Sequence, residues 1–100
     1  MSNYRNGEHE RFGAVVQDLL AERGWSQRDL ARAVAVDPAH VSRLLGRTRR
    51  GASPELMRRV AEVLGVSPER FAEYREWLVI EAIRADGALR ERLYQRLRAA

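Results

Sequence analysis

SQRDLARAVAVDPAHVSRLLG, residues 26–46, decides how this chain is to be read. Ser26-Gln27-Arg28-Asp29 has the form of a capping box, a hydroxyl N-cap with an acid three positions on, Asp standing in the usual Glu place. Trp25 before the cap and Leu30 after it are spaced as a hydrophobic staple. The helix so opened is short and ends near Val34. Asp37 is a second N-cap, and Pro38 takes the favoured first helical position. Val36 and Val41 are spaced as another staple, Val41, Leu44 and Leu45 supply an inward face, and Gly46 ends the helix. Two helices of about nine residues with two or three residues between them have helix-turn-helix spacing, which sets the pair at a steep angle. In that motif the first helix crosses a phosphate backbone and the second sets its N-terminal residues against base edges in the major groove.

The residue types suit that task. Ala39, His40, Ser42 and Arg43 fall on the outer face of the second helix and are the expected base contacts. The small ones permit close approach, while His40 and Arg43 can donate to base edges. Arg43 has the fork that pairs with guanine. Gln27 and Arg28 at the start of the first helix suit a phosphate, as do Arg47, Arg49 and Arg50 just after the second. Each has a plainer alternative: a solvated Gln27, a surface His40, an intrahelical partner for Arg43, and an ordinary solvated loop at 47–50.

Helical signals continue on both sides. Phe12, Val15, Val16, Leu19 and Leu20 recur on one face and predict a helix over 9–23, closed by Gly24 as a left-handed C-cap. Ser53-Pro54-Glu55 opens a helix carrying Leu56, Val60, Val63 and Leu64, and Gly65 closes it. Ser67-Pro68-Glu69 uses the same device and predicts one helix through to Ala85, with Val66 and Phe71 as staple. Residues 77–83, WLVIEAI, are apolar at six of seven positions. Helix-forming flanks without turn signals make this run helical rather than a buried strand. Asp86-Gly87 predicts a turn, and Leu89, Leu93 and Leu97 stripe a last helix from about Ala88. A helix apolar on more than one face must bury against more than one neighbour. The surplus predicts a self-association surface using Trp77, Ile80, Ile83, Leu93 and Leu97. A last helix that folds back to complete a monomer is the alternative. For Trp77 and Tyr74, buried packing is preferred to base stacking.

With 100 residues the chain supports one domain, and its two histidines and lack of cysteine give no disulfide or thiolate metal site. The start, MSNYRNGE, lacks the apolar core of a signal peptide, and no run approaches a membrane span, so a soluble cytoplasmic protein is expected. All 18 basic residues are arginine, against 14 acids, for a net charge of +4. Codon bias can explain the missing lysine, but not where the charge sits. Residues 37–51 hold four arginines and one acid, whereas 1–36 are balanced and 52–100 nearly so. No Gly-rich phosphate loop, acid–base pair or activated nucleophile is legible, so neither an enzyme nor a cofactor is expected.

Three runs carry a resemblance: Arg23-Gly24-Trp25-Ser26-Gln27-Arg28-Asp29-Leu30-Ala31, then Val36-Asp37-Pro38-Ala39-His40-Val41-Ser42-Arg43-Leu44, then Ala61-Glu62-Val63-Leu64-Gly65-Val66-Ser67. With these, residues 12–71 resemble the lambda-repressor/Cro-like helix-turn-helix family, also called the xenobiotic-response-element family. The resemblance implies an all-α, five-helix bundle that binds operator DNA, usually as a dimer, with Gln27 on backbone phosphate and Ser42 or Arg43 facing DNA. Two positions depart from it. Ala35 stands where the turn usually has Gly, and a left-handed Ala costs about 1 kcal/mol, which argues for a reshaped turn. Pro38 stands where phage repressors often read adenine with Gln, so the family's base code does not carry over there.

The expected organisation is a disordered arm at 1–8, a DNA-binding domain at 9–73 and a helical, dimerising extension at 74–100. The expected function is a sequence-specific transcriptional regulator, a repressor, that binds double-stranded DNA as a homodimer. The alternative is a protein-interaction module, such as an antitoxin-like or accessory subunit, with DNA binding secondary.

Overall fold

The computed structural model describes residues 10–46 and 51–100, and among these every regular element is helical. The helices are α1 (Phe12–Arg23), α2 (Gln27–Val34), α3 (Pro38–Leu45), α4 (Pro54–Leu64), α5 (Ala72–Ala85) and α6 (Gly87–Ala99), with a 3-10 turn at Pro68–Arg70. The expected arm at 1–8, His9 and the loop arginines Arg47, Arg49 and Arg50 lie outside the described residues.

Local chemistry accounts for most boundaries. Gly24 closes α1 at φ 67°, ψ 28°, and Gly65 closes α4 at φ 73°, ψ 31°, both left-handed. Ser53 Oγ accepts from Leu56 N at 3.1 Å to start α4, and Asp86 Oδ1 accepts from Leu89 N at 3.1 Å to start α6. Such caps stabilise by about 1 kcal/mol each. The expected Asp86-Gly87 turn is therefore a cap followed directly by helix.

Two boundaries come from distant residues. No side chain at the start of α1 caps it locally. Glu73 Oε1, 61 positions away, accepts from Phe12 N at 2.7 Å and completes that end. Arg11 and Glu73 also pair at 3.7 Å, and Glu10 pairs with Arg75. The start of α5 is thus tied to the start of α1. The single helix expected from Ser67 to Ala85 is instead broken at Phe71, which is extended at φ −88°, ψ 124°. The break serves the core. It points the Phe71 ring inward, edge-on to Phe12 with centroids 4.8 Å apart, and lets Ala72 N donate to Glu10 O at 2.8 Å.

The core gathers one face of each of α1 to α4, with Phe71 fully buried among them. All five predicted positions of α1 are buried, and α4 adds Met57 and Ala61 to the predicted Leu56, Val60 and Leu64, while Val63 is half-buried. Tyr74 is buried and Trp77 packs partly against the same core, so the bundle reaches past the expected boundary at 73/74 into α5. Arg58 joins them, donating to the Tyr74 hydroxyl at 3.3 Å and lying 5.7 Å over the Trp77 ring. Beyond Trp77 the chain leaves the bundle as a helical hairpin. The radius of gyration, 15.9 Å, exceeds the roughly 13 Å usual for a compact 100-residue domain.

Candidate nucleic-acid interface

The stretch at 26–46 folds as its capping chemistry dictates. Asp29 N donates to Ser26 Oγ at 3.0 Å and Ser26 N donates to Asp29 Oδ2 at 2.8 Å, a complete capping box. The Ser26 amide, helped by its hydroxyl and by Arg32, holds the Asp29 carboxyl below its ordinary value. Asp37 Oδ1 accepts from Ala39 N at 2.8 Å and starts α3 with Pro38 in its first turn.

The turn between them corrects the sequence expectation. Ala35 adopts φ 59°, ψ 48°, the left-handed conformation, and is the one non-glycine residue with positive φ among those described. Val36 N still donates to Ala31 O at 3.0 Å. The turn is not reshaped. Ala35 takes the strain, which the burial of Leu30, Ala31 and Val34 on one side and Val41 on the other outweighs.

That turn sets α3 on the surface with a divided face. Val41 and Leu45 are buried and Leu44 is half-buried beneath it. Ala39, Ser42 and Arg43 stand exposed on the outside, and His40 is half-exposed at the edge. All four expected base contacts therefore lie off the core side of one helix. Gln27 and Arg28 are exposed at the N-terminus of α2, where backbone amides give a partial positive charge. The expected self-association residues are divided. Ile80 and Leu97 are exposed, Ile83 and Leu93 are half-buried in the hairpin, and Trp77 is engaged by its own core and Arg58.

Two residues of α1 position α3, and sequence reasoning missed both. Gln17 Nε2 donates to Leu45 O at 3.0 Å and satisfies a carbonyl at the end of α3. A Cβ added at Gly13 would stand 2.9 Å from the same oxygen, so glycine is what lets α1 cross so closely. Gln17 sits on the exposed side of its helix and gave no periodic signal. Gly13 in a helical run was a visible hint of close backbone approach.

Among the described residues no group of His, Cys, Asp or Glu is placed to hold a metal, and no helix is long and apolar enough to cross a membrane. What the motif presents is a partly polar outer face on α3 and an exposed N-terminus on α2. Comparison with known proteins agrees with this. Residues 16–71 match the helix-turn-helix family. The chain is 36% identical over 76 residues to an uncharacterized HTH-type transcriptional regulator, YddM, of Escherichia coli (strain K12), a span of 74% of this chain and 79% of that protein. No solved structure matches.

Proposed function

The chain belongs to the helix-turn-helix family, and from that premise we propose that it is a sequence-specific DNA-binding transcriptional regulator, a repressor that acts as a homodimer. The observation that carries the reading is the outer face of α3. Ala39, Ser42 and Arg43 stand exposed, with His40 at the edge, on a helix anchored by Val41, Leu45 and Gln17.

On this reading α3 enters the major groove. Arg43 reads a base edge, His40 and Ser42 add shorter polar contacts, and Ala39 allows close approach. Gln27 and Arg28 bind phosphate at the α2 N-terminus, and Arg47, Arg49 and Arg50 extend the contact along the backbone. The protein works without a cofactor, in the bacterial cytoplasm where its DNA is. A homodimer presents two copies of α3 to a two-fold-related pair of half-sites.

Selection of bound sequences from random duplex DNA tests this directly, and a palindromic consensus is expected. Affinity should fall steeply with salt, because several phosphate contacts release counterions. Arg43→Ala should relax base preference, with about 1–3 kcal/mol lost at one position, and Arg49→Ala should weaken all sequences alike. Affinity that hardly changes with salt, or binding untouched by both substitutions, would refute the reading.

A further inference from the structure

We infer that Gln17 is a specificity-determining residue that touches no base: it tethers the C-terminal half of α3 and so sets where Arg43 reaches. This role rests on the DNA reading proposed above and adds to it a residue from another helix.

The four bundle helices end in two ways. α1, α2 and α4 each close on a left-handed residue, Gly24, Ala35 and Gly65. The next amide then turns back on its own helix. Trp25 N donates to Leu20 O at 2.9 Å, Val36 N to Ala31 O at 3.0 Å and Val66 N to Ala61 O at 2.9 Å. Those ends are made locally. α3 ends differently. Gly46 is extended at φ −83°, ψ −169°, and its amide donates to Arg43 O at 3.2 Å. Leu45 O is among the last carbonyls, which a helix leaves without an internal partner. It accepts from Gln17 Nε2 at 3.0 Å.

α1 meets that carbonyl with a notch and a donor one turn apart. Gly13 is the notch, since a Cβ there would stand 2.9 Å from Leu45 O. Gln17, four residues on, lies on the same side of α1 and supplies the donor. Burial of Val41 and Leu45 holds α3 on the core, but apolar contact is non-directional. A hydrogen bond also fixes direction. This eight-residue helix therefore has one polar anchor at each end, Asp37 from its own sequence and Gln17 from α1. Arg43 lies two residues before Leu45, whereas Ala39 and His40 lie beside Asp37. Loss of the Gln17 anchor shifts Arg43 and leaves Ala39 and His40 in place. A forked contact with guanine tolerates little shift, because each bond must span about 2.7–3.2 Å.

Binding of the full chain to its selected duplex, and to duplexes with each base pair changed singly, tests this at one fixed salt concentration. Arg43→Ala first marks the position that Arg43 reads. Gln17→Met keeps the length and helix propensity of the side chain but removes the donor. It should lower discrimination at that same position about tenfold and leave the others within about twofold. Added to Arg43→Ala, it should change nothing further. Gln17→Arg carries its Nε as many bonds from Cα as Gln17 carries Nε2. It should restore discrimination while its charge raises affinity for every duplex alike. Without DNA, the Leu44 and Leu45 amides should exchange hydrogen about tenfold faster in Gln17→Met, with α4 unchanged. Intact discrimination in Gln17→Met, a loss spread evenly over all positions as a phosphate contact would give, or no rescue by Gln17→Arg would each overturn the inference. So would unchanged exchange. A wild-type chain without base preference would refute the DNA reading itself and this role with it, a result distinct from intact discrimination in Gln17→Met.

Discussion

The bundle and the hairpin are built from similar residues and use them in opposite ways. All 17 buried apolar residues among those described lie between Phe12 and Tyr74. The five exposed large ones all lie after Trp77. The bundle closes on itself because four helices and Phe71 each contribute side chains to one shared core. The hairpin has only two helices, and two helices cannot cover an apolar run such as 77–83. Excess apolar surface in one region of a small chain is therefore a statement about its neighbours rather than its own core.

The contrast is sharpest for single truncations. Phe71→Ala should cost about 3–5 kcal/mol, because it removes the ring that meets Phe12. Leu97→Ala should stay within about 0.5 kcal/mol when measured on dilute, monomeric protein. Urea denaturation of both at low concentration checks this, and equal effects would erase the distinction between the regions. Gly13→Ala comes next. It forces α1 and α3 apart at Leu45 O and should cost about 1–3 kcal/mol as overpacking does. Duplex binding should weaken with it, since α3 is displaced.

Smaller effects test whether the turn of the bundle is strained. Ala35→Gly should stabilise by about 0.5–1 kcal/mol, because glycine adopts φ 59° without the Cβ conflict. A loss of stability would mean that unfolded-state entropy outweighs the strain. The least effect concerns Asp29. Its carboxyl is held below the ordinary 3.8, so its contribution is complete above that value and disappears as pH falls through the lower folded one. Asp29→Asn should flatten the acid limb of the stability curve, as urea denaturation at a series of pH values will show.

Much of the candidate interface is legible in the sequence, because caps and helix faces are local. Ser26 with Asp29, Asp37 with Pro38, and Ser53 with Pro54 each mark a helix start within four residues, and the structure has each. The outer face of α3 follows from the placement of Val41, Leu44 and Leu45. The break at Phe71 was not legible, since Ser67-Pro68-Glu69 looks like the helix starts before it. What separates it is the tie from Ala72 N to Glu10 O and the ring contact with Phe12, both across the chain.

Local rules, acting over three or four residues, were enough to settle which segments are helical, where most begin and end, and which face of α3 looks outward. Tertiary contact settled the rest. Glu73 caps a helix 61 residues away, Gln17 holds the end of α3, and Ala35 is left-handed despite its side chain. Each of these depends on groups that meet only once the core has formed. A cap or a strained turn is worth about 1 kcal/mol, and burial of several core side chains at about 2 kcal/mol each decides where such groups end up.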